Sequence, residues 1–277
     1  MILGNLFKNE KSNNIYFHAV RNKNAKTAIV FIHGLVGSRR FWDKAYHSLS
    51  KNYSLYFIDL LGFGYSAKPS VDYTLEIHIK ALRKFIREEV REKSIVLIGH
   101  SVGAIISLAY ANKYPKGIKK LYLLALPYYY SEKEARKTVK KNTVPSYFAI
   151  DSLLTKISCM TICYLGGPVT RKYIHLLIRD WPKEVISDAF LHTYQSYIST
   201  LENVLYKQRI INLLSNSLKK RIVLIHGQTD KIVPVDHVKE FAKKYGLKLI
   251  ILDNKGHKFP ISAKEQLVNI INEGINL

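Results

Sequence analysis

The amino-acid sequence predicts an α/β protein, a doubly wound and mostly parallel sheet with an inserted helical cap. Apolar runs rich in Val, Ile, Leu and Tyr alternate with helical patterns along most of the chain. Several runs are apolar at every position, which is typical of parallel strands covered on both faces. Strands that alternate with helices imply right-handed crossovers and helices on both sides of one sheet.

Seven apolar runs are the predicted strands, and helical patterns lie between them. The strands are expected at residues 14–20, 27–32, 53–60, 94–98, 119–126, 221–225 and 248–252. Helices are expected at residues 74–93, 101–114, 236–245 and 263–275. The first helix is the clearest, because its apolar residues have the spacing of one buried stripe.

The alternation fails between residues 128 and 217, where the pattern is largely helical and no convincing strand run occurs. Breaks at Pro145, at Gly166-Gly167-Pro168 and at Trp181-Pro182 divide this stretch. About ninety residues are too many for a loop in a compact domain. We therefore predict a core made of residues 1–127 and 218–277, with residues 128–217 forming a helical cap over one edge of the sheet.

Length and composition indicate a globular protein with a full core, since 47% of its 277 residues are hydrophobic. No transmembrane segment is expected, because apolar stretches such as 157–167 fall short of the roughly 20 residues that a spanning helix needs. The first eight residues lack the basic leader and long apolar region of a signal peptide. These observations predict a cytoplasmic location.

The formal charge of +22 raises the question of a nucleic-acid or anionic-membrane partner. The lysines are scattered along the whole chain, and the densest cluster, residues 132–141, also contains Glu132 and Glu134. No zinc finger, RNP-like aromatic motif or basic tail accompanies it. We expect a solvated basic surface and no nucleic-acid partner, while weak attraction to anionic lipid or to an acidic substrate stays open.

The two cysteines, Cys159 and Cys163, lie four residues apart in an apolar segment that is compatible with a helix. Both would then lie on one helix face, at a separation unfavourable for a disulfide. Two thiols without a third and fourth ligand nearby make a poor zinc site. We expect reduced, buried side chains and no metal.

A serine between two glycines comes after the fourth predicted strand, in the sequence Gly99-His100-Ser101-Val102-Gly103. Where a strand turns sharply into a helix, small residues two before and two after the serine allow the close backbone contact, and the strained turn exposes Oγ. The pentapeptide alone is weak evidence, because three fixed positions recur by chance. Its meaning depends on the residues at the ends of the other strands.

Polar residues lie just beyond three other predicted strands. His33-Gly34-Leu35 comes after the second strand, and its glycine lets a backbone N–H approach a charge forming beside the serine. Asp230 comes shortly after the strand at 221–225, and His257 ends a polar turn after the strand at 248–252. Ligand sites collect at the carboxyl ends of parallel strands, so Ser101, Asp230 and His257 are candidates for one catalytic site.

The chain order Ser101, Asp230, His257 resembles that of the α/β-hydrolase fold family. Residues 59–66 are similar to the Asp-x-x-Gly-x-Gly-x-Ser segment of its cap-bearing members. The resemblance covers residues 14–275, with only the cap unmatched in detail. It implies that the backbone N–H groups of Leu35 and Val102 form the oxyanion hole.

Roles can be assigned from the chemistry of acyl transfer, which requires no metal or organic cofactor. His257 is the expected general base toward Ser101 and later the general acid toward the leaving group. Asp230 is expected to hold the imidazole tautomer and stabilise the imidazolium. Glu132, shortly after the fifth strand, is a less favoured candidate for the acid because it begins a basic helix.

Other polar and aromatic residues near the strand ends have a structural interpretation beside the functional one. We expect Asp59 and Asp253 to shape turns. Three histidines beside glycines are expected to be hydrogen-bonded scaffold residues: His33, His100 and His226. For His100, a role in lining the substrate pocket is also open. Core packing and substrate contact are both open for Phe41, Trp42, Tyr65 and the run Tyr128-Tyr129-Tyr130.

Ser101 lies in the sharp turn from strand to helix, where some relatives have an aspartate that forms an alkyl-enzyme ester. A serine at this position favours acyl transfer instead. The first hypothesis is a carboxylesterase-like serine hydrolase for a small to medium, apolar acyl substrate. The apolar segment 157–165 fits either a pocket wall or the core of the cap. The alternatives are a carbon–carbon bond hydrolase or thioesterase with the same triad, and a catalytically weak ligand-binding protein on this fold.

Overall fold

The computed structural model describes residues 9–12, 14–142, 146–165, 167–177, 181–207 and 209–276. The predicted breaks at Pro145 and Gly166 lie outside the described residues. So do the first eight residues, on which we based the expectation that no signal peptide is present.

One sheet of eight strands forms the centre of the protein, in the order β1-β2-β4-β3-β5-β6-β7-β8. β1 and β2 are antiparallel to their neighbours, and β3 to β8 pair in parallel. This arrangement confirms the predicted fold class. The strands are β1 (Asn9–Ser12), β2 (Ile15–Val20), β3 (Thr27–Ile32), β4 (Ser54–Ile58), β5 (Ser94–His100), β6 (Ile118–Leu124), β7 (Ile222–Gly227) and β8 (Lys248–Leu252).

β1 is the strand that the sequence did not predict. Its residues, Asn-Glu-Lys-Ser, contain no apolar side chain. β1 lies at the edge of the sheet and pairs only with β2, so it needs no apolar face to be held by main-chain hydrogen bonds. Polar residues are also typical of edge strands, where they discourage pairing with other chains.

Helices cover both faces of the sheet. Alternate residues of β3 pack into two different clusters, Ala28 and Val30 on one face and Ile29 and Phe31 on the other. The predicted helices correspond to α1 (Leu75–Glu89), α2 (Val102–Lys113), α9 (Val235–Tyr245) and α11 (Lys264–Asn276). The first three cover one face, and α11 covers the other together with the 3-10 segment Asp43–Lys51.

Between β6 and β7 lies the stretch predicted to be the cap, residues 128–217, which we call the inserted segment. Its described residues contain helices and no strand. Two π-helical stretches, Met160–Leu165 and Leu201–Tyr206, continue α4 and α7. The helices are α3 (Glu132–Asn142), α4 (Leu153–Cys159), α5 (Gly167–Leu177), α6 (Lys183–Asp188), α7 (Tyr194–Thr200) and α8 (Asn216–Lys219); the short α10 (Phe259–Ser262) comes after β8.

A buried histidine joins the core to the inserted segment. His78 of α1 is 1% exposed, and its Nε2 lies 3.1 Å from Thr200 Oγ1 at the end of α7. Burial lowers the pKa of His78 from 6.5 to about 3. In the unfolded chain, His78 therefore binds a proton near pH 6.5. In the folded protein, the same imidazole stays neutral until a much lower pH.

We predict that the His78→Gln protein loses less stability than the wild type between pH 7 and pH 5, by about 2 kcal/mol. The reason is that each pH unit below the unfolded pKa favours the unfolded chain by about 1.4 kcal/mol for this one proton. Urea denaturation at both pH values measures the difference.

Thr200→Val is the matched control, because it removes the hydrogen bond but keeps the titrating imidazole. It should lower stability at both pH values and retain the wild-type loss between them. An equal loss in the His78→Gln and wild-type proteins would contradict the prediction.

Candidate active site

Ser101 occupies a strained turn between β5 and α2. Its backbone angles are φ 54° and ψ −121°, in the positive-φ region that residues other than glycine rarely adopt. Such a conformation costs about 1–3 kcal/mol and persists only where the surroundings impose it. The Ser101 N–H donates to the carbonyl oxygen of Leu124 at 2.9 Å, which ties the turn to the end of β6.

Two glycines permit the close contact that this turn requires. A Cβ on Gly103, in the first turn of α2, would collide with the carbonyl oxygens of Ile32 and His33 at the end of β3. A Cβ on Gly99 would collide with the Gly103 carbonyl. The start of α2 therefore contacts the carboxyl ends of β3 and β5, and Ser101 lies at this end of the sheet.

Asp230 and His257 form a hydrogen-bonded pair beyond the ends of β7 and β8. His257 Nδ1 lies 2.7 Å from Asp230 Oδ2. The other carboxylate oxygen, Oδ1, accepts the N–H groups of Ile232 and Val233, both at 2.9 Å. Burial alone would raise the pKa of Asp230, but the hydrogen bond and charge of His257 lower it below its usual value. The carboxylate is therefore ionised, fixed in orientation, and placed to hold the imidazole with Nδ1–H toward it.

His257 is also held from the side by His100. His100 Nε2 lies 2.9 Å from the His257 carbonyl oxygen, and the two ring centroids are 4.8 Å apart. Burial lowers the pKa of His100 to about 3, so it stays neutral and donates from Nε2 to that carbonyl. His100 acts as scaffold for the turn that carries His257.

The loop after β3 passes beside Ser101. A Cβ on Gly34 would lie 3.2 Å from the Ser101 Cβ. His33 fixes the loop, because its Nδ1 lies 2.7 Å from the Gly34 carbonyl oxygen and its Nε2 accepts the Leu60 N–H at 2.9 Å. The next residue, Leu35, lines the same cavity as Ser101. The Val102 N–H belongs to the first turn of α2, whose amides have no partner within the helix.

A cavity of about 330 Å³ opens in front of Ser101 and His257. One wall comes from the core, including Leu35 and Phe41. The inserted segment contributes eight apolar or aromatic residues to the lining: Val139, Trp181, Val185, Ile186, Ala189, Tyr197, Leu201 and Leu205. The cavity therefore combines the hydroxyl of Ser101 and the imidazole of His257 with mostly apolar walls, which suit an apolar ligand.

A buried polar contact joins the inserted segment to the loop after β3. Asp188, at the end of α6, is 1% exposed, and its Oδ2 accepts the Ser38 hydroxyl at 2.8 Å. Arg40 lies 3.4 Å from the other carboxylate oxygen. The inserted segment is thus attached to the core a few residues from Leu35.

Ser101 and His257 line one cavity and Asp230 is hydrogen-bonded to His257, whereas the other candidate acid, Glu132, lines a different cavity. Glu132 begins α3 and pairs with Arg136 at 2.7 Å. Asp59 is fully buried and accepts the backbone N–H groups of Arg39 and Tyr65, as expected of a turn-shaping residue. Asp253 lies in the turn after β8.

The remaining histidines and aromatic residues divide between scaffold and cavity wall. His226 is buried with its Nε2 2.9 Å from the Val233 carbonyl oxygen, so it is scaffold like His33. Trp42 is core, whereas Phe41 lines the cavity and Tyr65 is 39% exposed. Tyr128, Tyr129 and Tyr130 pack toward α9 and the loop before it and do not line the cavity at Ser101.

One side chain cluster in the inserted segment was not foreseen. Sγ of Cys159 and Sγ of Cys163 are 3.7 Å apart, and both face His192 Nε2. The expectation that the two thiols have no third ligand nearby is wrong. Only the path of the chain between α6 and α7 brings His192 here, so no local pattern could have indicated it.

Known proteins of the α/β-hydrolase fold resemble this chain in sequence and in structure. A family model described as the alpha/beta hydrolase fold matches residues 27–143. The chain is 29% identical over 269 residues to "Probable lysophospholipase BODYGUARD 3" of Arabidopsis thaliana. The matched region covers 84% of this chain and 52% of that relative. The chain spans about half the length of this relative and of two similar Arabidopsis thaliana proteins.

Solved structures share the fold over nearly the whole chain. E-2-(acetamidomethylene)succinate hydrolase superposes with a TM-score of 0.75 at 16% identity and covers 98% of this chain and 100% of its own. An esterase from Exiguobacterium antarcticum superposes with a TM-score of 0.69 at 16% identity, over 95% of this chain and 96% of its own. At this identity the likeness concerns the fold alone.

Proposed function

Because this chain has the α/β-hydrolase fold, we propose that it is a serine hydrolase. It cleaves a small to medium carboxylic ester, or a related acyl substrate, through an acyl-enzyme on Ser101. The observation that carries the proposal is the 2.7 Å hydrogen bond between Asp230 and His257, since His257 and the strained Ser101 line the same cavity.

Ser101 is the nucleophile, and His257 removes its proton as Oγ attacks the substrate carbonyl. The proton then goes from His257 to the leaving alcohol, and water deacylates the enzyme by the reverse sequence. Asp230 holds Nδ1–H of His257, so that Nε2 is the basic nitrogen, and stabilises the imidazolium that forms. This chemistry needs no metal or organic cofactor.

The negative oxygen of the tetrahedral intermediate is stabilised by the backbone N–H groups of Leu35 and Val102. Support for Leu35 comes from the closeness of Gly34 to Ser101, and support for Val102 from its place in the first turn of α2. Donors that are fixed before the reaction contribute most where water is excluded. The apolar cavity wall provides that environment.

The inserted segment, residues 128–217, acts as a cap that selects an apolar acyl group. Eight of its apolar side chains line the cavity at Ser101, and about 330 Å³ suits a medium acyl chain. The relative named as a probable lysophospholipase favours a single-chain lipid ester as the substrate class. A net charge of +22 suits an anionic headgroup.

We predict that Ser101→Ala lowers kcat/KM for a medium-chain p-nitrophenyl ester by about 10⁴ or more, because the acyl-enzyme can no longer form. Wild-type protein should react with a fluorophosphonate probe at Ser101, and the variant should not. Hydrolysis that survives the substitution in a folded protein would refute the nucleophile assignment. Wild-type protein that neither reacts nor hydrolyses would favour a ligand-binding role.

The identity of the acid is tested by two conservative substitutions. Asp230→Asn should lower kcat by about 10⁴, since it favours the wrong imidazole tautomer. Glu132→Gln removes the other candidate carboxylate and should leave kcat within about twofold. Steady-state kinetics of both variants against wild type decide the assignment, and the reverse pattern would transfer the role to Glu132.

We further propose that the cap touches an anionic lipid surface. Among the described residues, seven of the ten exposed large apolar side chains lie between residues 153 and 176. They form two stripes of helical spacing: Leu153, Leu154, Ile157 and Met160 on α4 and its continuation, and Val169, Tyr173 and Leu176 on α5. Segment 157–165 is thus partly outward-facing, with Ile157 and Met160 about half exposed. No helix among the described residues is long and apolar enough to span a membrane.

We predict that the protein cosediments with vesicles containing phosphatidylserine, and less with pure phosphatidylcholine vesicles. The double variant Leu153→Gln/Val169→Gln should bind at least about tenfold more weakly, because both side chains lose their apolar burial in the bilayer. Ile211→Gln, at an exposed apolar residue outside the two stripes, is the control and should bind as wild type. Equal binding by all three proteins would contradict the contact.

A further inference from the structure

We propose that Cys159, Cys163 and His192 form a zinc-binding site in the inserted segment. The three donor atoms lie within 4.8 Å of one another. Two of them come from one helical turn, where α4 passes into its π-helical continuation, and the third comes from the loop before α7. Two thiolates and an imidazole are a donor set that zinc prefers.

The spacing of the donor atoms matches the edges of a zinc tetrahedron. Zn–S bonds of about 2.3 Å at the tetrahedral angle place two sulfur atoms about 3.8 Å apart, and a Zn–N bond of about 2.05 Å places nitrogen about 3.6 Å from each sulfur. The two Sγ atoms are 3.7 Å apart, and His192 Nε2 lies 3.5 Å and 3.7 Å from them. The three donor atoms therefore already lie at the separations that a tetrahedral zinc ion requires.

The tautomer of His192 is already the one that a metal requires. His192 Nδ1 lies 2.8 Å from the carbonyl oxygen of Ala189, a group that can only accept. Nδ1 therefore carries the proton, and the lone pair of Nε2 faces the two sulfur atoms. A backbone carbonyl that orients the imidazole in this way is the usual outer partner of a metal-bound histidine.

The site is accessible to an ion and to water. All three residues line a cavity of about 830 Å³, which also contains the carboxylate-bearing Asp72 and Asp151. Binding of Zn²⁺ displaces one proton from each thiol to solvent, forms two Zn–S bonds and one Zn–N bond, and leaves the fourth position to water. No oxidant or reductant takes part.

The site would brace the wall of the catalytic cavity. A smaller cavity of about 240 Å³ separates the two places, and its lining includes Cys159 and Cys163 as well as Val36, Ala189 and Tyr197. These last three residues also line the cavity at Ser101. A zinc ion that joins α4 to the loop before α7 therefore restrains side chains on which the shape of the acyl site depends.

The test uses the full chain in the Ser101→Ala background, so that metal binding is measured independently of hydrolysis. Titration of the reduced, metal-free protein with Co²⁺ should give tetrahedral d–d bands and thiolate-to-cobalt charge-transfer absorption, saturating at one ion per chain. Added Zn²⁺ should abolish both signals by displacement. Elemental analysis after dialysis against Zn²⁺ should find one zinc per chain.

Cys159→Ser, Cys163→Ser and His192→Gln should each weaken Zn²⁺ binding by at least about 100-fold, more than the loss of an outer-shell partner causes. Met160→Leu, between the two cysteines, is the matched control and should bind as wild type. Circular dichroism shows whether each variant is folded. In the unsubstituted chain, Zn²⁺ should protect Cys163, the more exposed of the two thiols, from alkylation by iodoacetamide.

Three results would overturn the proposal. They are the absence of charge-transfer absorption with Co²⁺, zinc binding that survives Cys159→Ser, and a Cys159–Cys163 disulfide found by mass spectrometry in protein purified without reductant. None of them bears on the assignment of Ser101.

Discussion

The close contact between the first turn of α2 and the ends of β3 and β5 is the constraint on which the site depends. Gly99 and Gly103 remove the two side chains that would keep these backbones apart. Only then can Ser101 adopt a positive φ, at a cost of about 1–3 kcal/mol. The burial of α2 stabilises the strained turn, since ten of its twelve residues are buried. Local strain at one residue is thus sustained by packing of the whole helix.

The same contact brings the loop after β3 to the serine. His33 then fixes the loop beside Ser101 through the Gly34 carbonyl oxygen and the Leu60 N–H. The turn that carries His257 is held by hydrogen bonds, through Asp230 and through the carbonyl contact with His100, the residue before Ser101. The site therefore combines one element fixed by backbone packing with another fixed by hydrogen bonds of buried side chains.

The sheet and the meeting of Ser101, Asp230 and His257 were accessible from the sequence for a common physical reason. Parallel strands covered on both faces are continuous apolar runs, and their carboxyl ends meet at one edge. β1 was not predicted because main-chain pairing at an edge requires no apolar pattern. His192 was not predicted because its position depends on how α6 and α7 pack, which no spacing in the sequence records.

The contact between Ser38 and Asp188 fixes α6 against the loop after β3. The Asp188 carboxylate is buried and accepts the Ser38 hydroxyl, so a displacement of α6 would leave that hydroxyl without its acceptor, at a cost of about 1–3 kcal/mol. Val185 and Ile186 of α6 line the cavity at Ser101. One polar contact outside the cavity therefore resists any widening of its apolar wall.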